Sequence, residues 1–277
     1  MTNSVTDSAQ PAWPREALGA CAFTFDVDAE TLWMARGVTE PVTLSQGRFG
    51  VLEAVPRILA TLRTAQIHGT FFIPAWVAAH YPDMVRAIAG EGHEIGCHGD
   101  EHESVTNLGR DRELEILRKS VEVLTKLTGG RRPIGYRAPA WQLSSDTLSL
   151  LSAEGFDYSS NMMDRLVPYL HPPIDGHSLV EIPVSWVLDD APFFLFSGQR
   201  AIQAPGPVLQ GWLTEFEGIT AARGVTNFTF HPQLIGRPSR LACLRELVDH
   251  VRHTPRVWIA PLAEIAAHWR MAARAKT

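Results

Sequence analysis

Two carboxylates, Asp26 and Asp28, close the apolar run CAFTFDVD at 21–28. On an extended strand alternate side chains share a face, so both acids point the same way as Thr24 while Phe23, Phe25 and Val27 point the other way. Acids placed like this can act as a general base or a metal ligand; the plainer alternative is a cap on the following helix or a partner for a surface arginine. In GHEIGCHGDEHES, His98 and His102 stand four residues apart. That spacing suits one metal ion, on a helical turn or across a tight loop, and Gly99 resists the helical arrangement. Gly96 and His98 share a strand face while Cys97 takes the other, which sets Cys97 aside as a ligand. Two histidines alone are a weak signal; with an inward carboxylate from the first strand they complete an open three-ligand metal site. Arg137 in IGYRAPAW (134–141) shares a face with Gly135 and Pro139. An inward guanidinium beside acids holds a carboxylate ionised and oriented, with a structural salt bridge as the alternative. His231 in NFTFHP (227–232) lies on the inward face with Thr229, either as a rim residue before a proline turn or as a satisfied core histidine.

These residues need a scaffold that collects strand ends. Short apolar runs recur at 21–28, 69–76, 93–99, 134–141, 156–161, 180–186, 227–232 and 256–262, and amphipathic stretches such as RDRELEILRKSVEVLTKLTG separate most of them. Ser, Asp and Gly stand at several of the helix ends, as caps require. Alternation of this length predicts an α/β fold, a closed or nearly closed (β/α) barrel, over an open dinucleotide-binding sheet, because no G-x-G-x-x-G follows the first strand. Barrel enzymes keep their chemistry at the C-terminal ends of the strands, where these side chains fall. One domain is expected over 15–277, preceded by a loose leader or packed arm at 1–14 and interrupted near 162–204 by a long insertion with one strand. The final PLAEIAAHWRMAARAKT reads as an amphipathic helix that covers the outside of the barrel or meets another subunit.

Composition excludes several partners. With 25 Lys+Arg against 30 Asp+Glu the net charge is -5, without the basic excess that nucleic acid demands. No apolar run reaches the roughly 20 residues of a membrane span, and the N-terminal stretch lacks the pattern of an export signal, so no membrane partner and a cytoplasmic location are expected. Three separated cysteines form neither a disulfide framework nor a C-x-x-C zinc site.

The stretches TFDVDAE, GTFFIPAW, GEGHEIGCHGDEHE, GYRAPAW, LVEIPVSWVLDD and FTFHPQLIGRP together resemble the polysaccharide deacetylase superfamily, the NodB-homology or carbohydrate esterase family 4 group, over residues 21–266. The likeness is greatest to its intracellular branch of cyclic imide hydrolases, an allantoinase and a cytoplasmic peptidoglycan-deacetylase-like relative. The resemblance implies a distorted (β/α)7 barrel and a homo-oligomer, often a tetramer. It makes Asp26 the general base, Asp28, His98 and His102 the metal ligands, Arg137 the tether of the base, and His231 the general acid. Extracellular members carry T-F-D-D-G; here Val27 separates the acids and Ala29 replaces the glycine, as in the imidase-like branch. One divalent ion, zinc first, with cobalt, nickel or manganese also suited to the ligands, would activate a bound water and polarise the carbonyl. The expected substrate is a small molecule with a cyclic imide or amide bond, lying against Trp76, Trp141, Trp186 and the APFFLF segment at 191–196. The alternatives are an N-deacetylase of an amino sugar or polyamine, a non-haem iron oxygenase that shares the ligand set, and a binding module without activity.

Overall fold

The computed structural model describes residues 13–196, 198 and 201–274. Nine strands form one sheet: β1 Gly19–Asp26, β2 Thr70–Ile73, β3 Glu94–Cys97, β4 Gly135–Tyr136, β5 Tyr158–Ser159, β6 Tyr169–Leu170, β7 Val180–Glu181, β8 Val225–Phe230 and β9 Val257–Ile259. The helices are α1 Thr31–Met34, α2 Pro41–Phe49, α3 Val55–Ala65, α4 Ala75–His80, α5 Pro82–Gly90, α6 Arg110–Leu127, α7 Thr147–Ala153, α8 Ala191–Phe194, α9 Pro205–Ala221, α10 Pro232–Ile235, α11 Pro238–His253 and α12 Leu262–Arg274. A π-helical turn, Gly50–Ala54, joins α2 to α3.

The sheet runs β6-β7-β5-β4-β3-β2-β1-β8, parallel throughout except for the β6–β7 pair. Among the described residues, β1, β2, β3, β4, β5, β7 and β8 are the parallel staves of a distorted barrel, and it closes between the chain after β7 and β8 through one bridge, Asp189 with Thr229. β1 is the most shared strand. Its whole length pairs with β8, while on its other edge the first half pairs with β9 and the last residues with β2. This splaying is the distortion.

The alternation read in β1 and β8 sorts the core into two layers. Cys21, Phe23, Phe25, Phe228 and Phe230 face outward into the larger cluster, where the buried stripe Val55, Ile58, Leu59 and Leu62 of α3 meets them. Ala20, Ala22, Phe72, Tyr158, Val180, Ile182 and Val225 face inward. The inward rings fit because the neighbouring inward positions are glycine: a Cβ on Gly96 would lie 2.6 Å from the Phe72 ring, and one on Gly135 2.1 Å from that of Tyr158. Close packing at native density leaves no room for either.

Two expectations are corrected here. The C-terminal helix α12 does not cover the outside of the barrel; Leu262, Ile265 and Ala266 pack on the inward cluster. Its first-turn N–H groups, which have no partner within a helix, are capped from the sheet: Leu262 N donates to Thr70 Oγ1 and Ala263 N to Glu94 Oε2, both at 2.9 Å. The insertion holds two short strands, β6 and β7, rather than one. Of the leader at 1–14, only Trp13 and Pro14 are described, and Trp13 is buried against Trp258 and Trp269 with ring centroids 6.2 and 5.7 Å away; positions 1–12 lie outside the described residues.

Candidate active site

The strand ends at one mouth of the barrel carry every charged residue singled out above. Asp28 lies two residues beyond β1, fully buried, at the start of a turn that α1 continues. Thr31 fixes that turn, donating to the Asp28 carbonyl from both its backbone N–H (3.0 Å) and its hydroxyl (2.6 Å). Ala29 between them has φ 49°, a left-handed conformation in which a side chain costs energy and a glycine would not. A glycine would take this bend without strain, and alanine tolerates it here.

His98 follows β3 directly, and His102 is reached through a bend in which Gly99 and His102 both adopt positive φ (71° and 61°). The pair thus lies across a tight loop and not on a helix. Glu103 holds the loop by accepting from the N–H groups of Asp100 and Glu101. His98 Nδ1 donates to the Arg137 carbonyl at 2.8 Å, which leaves Nε2 as the lone-pair atom, 3.3 Å from Asp28 Oδ1. His102 Nε2 is 3.8 Å from Asp28 Oδ2. One ligand atom from each of Asp28, His98 and His102 lies within 4.8 Å of the others.

These donors fit a divalent ion. Asp28 Oδ1 is buried without a hydrogen bond, a costly state for a carboxylate that a cation relieves. Burial alone would raise the Asp28 pKa, but the facing imidazoles of His102, His231 and His98 outweigh it and hold the acid below the carboxylate range. Burial, joined by repulsion from the other two imidazoles, pushes His102 down to about 4, so its ring is neutral and able to ligate. For His98 burial opposes the charged form, and Asp26 and Asp28 turn the balance upward.

Asp26, the last residue of β1, is held on one side of this cluster by Arg137, whose side chain is completely buried. Arg137 Nη1 donates to Asp26 Oδ1 and Thr24 Oγ1, both at 2.8 Å, and Nη2 donates to Ser160 Oγ (3.0 Å) and Asn227 Oδ1 (3.3 Å). The guanidinium also lies 4.3 Å from the centroid of the Phe72 ring. A guanidinium so fully engaged cannot swing, and neither can the carboxylate it grips.

His231 stands beside the same cluster, immediately after β8. Its Nε2 is 3.6 Å from Asp28 Oδ2, and its Nδ1 contacts Asp190 Oδ1 at 2.7 Å and Asp189 Oδ1 at 3.4 Å. Asp190 Oδ1 also accepts the His231 backbone N–H at 3.0 Å. Burial works against a charged imidazole, yet Asp189, Asp28 and Asp190 outweigh it and lift the His231 pKa well above its ordinary value. Asp189 is itself pushed up to about 7 by burial and by the neighbouring Asp190. Neither acid was assigned a role from the sequence, although both end the quoted stretch LVEIPVSWVLDD. Two adjacent aspartates closing an apolar insertion were the available signal, but they follow no strand periodicity that would orient them.

A cavity of about 480 Å³ opens over these groups, lined by Asp26, His98, His102, Asp189 and His231. Its walls are Leu32 and Arg36 on one side and Trp141, Trp186, Ala191, Pro192 and Leu195 on the other. Trp141 and Trp186 pack against each other with centroids 4.3 Å apart. Trp76 does not line it: α4 turns that ring onto His80 (3.7 Å) and the outer core, because it sits one residue into a helix and not at a strand end.

The polysaccharide deacetylase family model matches residues 43–159. The crystal structure of a putative polysaccharide deacetylase from Mycobacterium smegmatis is 39% identical with a TM-score of 0.91, covering 96% of this chain and 95% of that one. PuuE allantoinase superposes with a TM-score of 0.86 at 25% identity, over 96% of this chain and 95% of its own. A peptidoglycan deacetylase from Helicobacter pylori is 29% identical over 270 residues, 86% of this chain and 92% of that protein. The chain belongs to the polysaccharide deacetylase family. It is a metal-dependent hydrolase of carbon–nitrogen bonds other than peptide bonds. No helix among the described residues is long and apolar enough to cross a membrane.

Proposed function

We propose that the protein opens a cyclic imide or cyclic amide in a small cytosolic molecule, with Asp26 as general base, His231 as general acid, and Asp28, His98 and His102 as ligands of a zinc ion. The observation that carries this reading is that a carboxylate tethered by arginine and an imidazole held by aspartate line, with His98 and His102, one cavity of about 480 Å³. That volume is at the lower end of small-molecule pockets, which run from about 300 to 1,000 Å³. The paired indoles of Trp141 and Trp186 offer a flat apolar wall to a planar ring. The likeness to an allantoinase over nearly the whole chain supports the same class of substrate.

A divalent ion held by Asp28, His98 and His102 would supply Lewis acidity to the scissile carbonyl and would lower the pKa of an attacking water. Asp26 takes the proton of that water, and Arg137 keeps the carboxylate aimed while it does so. The C–N bond breaks as the nitrogen receives a proton from His231 Nε2, the ring atom that faces Asp28 while Nδ1 is occupied by Asp190. Hydroxide is thereby added to carbon and a proton to nitrogen, opening the ring.

Hydrolysis of a linear N-acetyl group on an amino sugar is the second reading, favoured by the named deacetylases among the relatives and by Trp186, which is 44% exposed at the mouth where a sugar could stack. The two separate in one assay. Zinc-loaded protein is offered succinimide, dihydrouracil, allantoin and N-acetylglucosamine, with cobalt, nickel and manganese forms in parallel. Ring opening of at least one cyclic compound at a rate well above that on the sugar is expected; turnover of the sugar alone would overturn the cyclic reading.

A further inference from the structure

The turn that begins at Asp28 continues into the cavity wall. Leu32 in α1 and Arg36 in the turn that follows it both line the cavity above the metal ligands. Trp33, buried, anchors this stretch, and Gly37 (φ 76°) ends it. The other charged groups of the lining already have partners. Asp26 has Arg137, Asp189 accepts from Ala191 N at 2.8 Å, and His231 has Asp190. Among the described residues the Arg36 guanidinium makes no hydrogen bond and has no carboxylate within 4.0 Å. It is exposed. A guanidinium presents a planar fork of donors matched to a carboxylate. A doubly charged group is disfavoured there, because Asp26 and Asp189 line the same cavity.

We infer that Arg36 is a specificity residue that binds a carboxylate on the substrate. The inference deepens the hydrolytic reading above and rests on it for the identity of the pocket. It narrows the substrate from any small amide to one bearing a single negative charge beyond the scissile bond, and it applies to a cyclic or a linear amide alike.

The test uses two pairs of compounds that differ in one carboxylate: dihydroorotate against dihydrouracil, and N-acetylmuramic acid against N-acetylglucosamine. Dissociation constants are measured by calorimetry on the zinc-loaded wild type, Arg36→Gln and Arg36→Lys, with hydrolysis followed in the same samples. The carboxylated member of at least one pair should bind about 10- to 150-fold more tightly, the worth of one charge-assisted hydrogen-bonded contact. Arg36→Gln should erase that preference without altering the neutral member or the zinc content, and Arg36→Lys should keep part of it. Equal binding within both pairs, a preference that survives Arg36→Gln, or no binding of either carboxylated compound at millimolar concentration would each overturn the inference. An Arg36-dependent preference without any turnover would instead count against the hydrolytic reading alone.

Discussion

The ion pair behind His231 gives a quantitative prediction. Asp190→Asn keeps the shape of the side chain and removes the negative charge that touches Nδ1 at 2.7 Å. Asp189 at 3.4 Å and Asp28 at 3.6 Å remain, so the imidazole stays near carboxylates but loses its shortest contact. A hydrogen bond to a charged group is worth about 1.5–3 kcal/mol, or about one to two pH units at 1.36 kcal/mol each. The sign follows from the role: a general acid must be protonated, so activity falls as pH rises through its pKa. Weakening the hold on the proton lowers that pKa, and the alkaline limb of kcat/KM should move down by about one to two pH units. The acidic limb, which reports the base, and the zinc content should change little. A pH profile on any substrate that turns over is sufficient. An alkaline limb that stays in place would show that His231 is not the donor or that Asp190 does not charge it.

Asp26→Asn should lower kcat by about two to four orders of magnitude, the worth of a general base, while zinc measured by mass spectrometry remains near one per chain. Arg137→Met leaves Asp26 buried without its partner, and denaturant unfolding should show a loss of about 3–5 kcal/mol, the usual cost of orphaning a buried charge. His93 should shape acid stability. Its Nδ1 accepts from Gly69 N at 3.1 Å and its Nε2 is buried without a partner, so burial and the nearby His68 push its pKa down to about 4. The unfolded chain takes up this proton near 6.5 and the folded chain only near 4. Stability should therefore be constant above that window and fall by up to about 3 kcal/mol as pH drops through it. His93→Gln, whose amide oxygen can still accept from Gly69, should remove that part of the acid slope.

Much of the site was legible because strands alternate with a period of two. Asp26, His98, Arg137 and His231 sit at or one residue beyond a strand end, so the same rule that buries Phe23, Phe25, Phe228 and Phe230 outward aims the polar residues inward. Asp28 lies past the end of β1, yet the Thr31 clamp on its carbonyl keeps it turned to the mouth. Asp189 and Asp190 were not legible, because an irregular segment carries them and tertiary contacts with Thr229 and His231 set their direction. Trp76 failed for the opposite reason: apolar character placed it on a strand, while the proline before it starts a helix that turns the ring away. For α12 the pattern identified an apolar stripe without indicating which of two apolar surfaces would receive it. That choice depends on β9 leaving β1 beside β2, a contact between remote segments.

The single bridge between Asp189 and Thr229 has a consequence for engineering. Most staves are laced to their neighbours by several residues, so altering one would unzip a ladder. At this seam the less buried positions, Trp186, Val187, Pro192 and Leu195 among them, can be exchanged, provided buried Ile182, Leu188 and Phe194 and the two aspartates keep their place. The catalytic groups are anchored in the laced staves and Trp186, Ala191, Pro192 and Leu195 in the seam. Grafting the seam of another family member should exchange the preferred substrate while leaving the reaction itself intact.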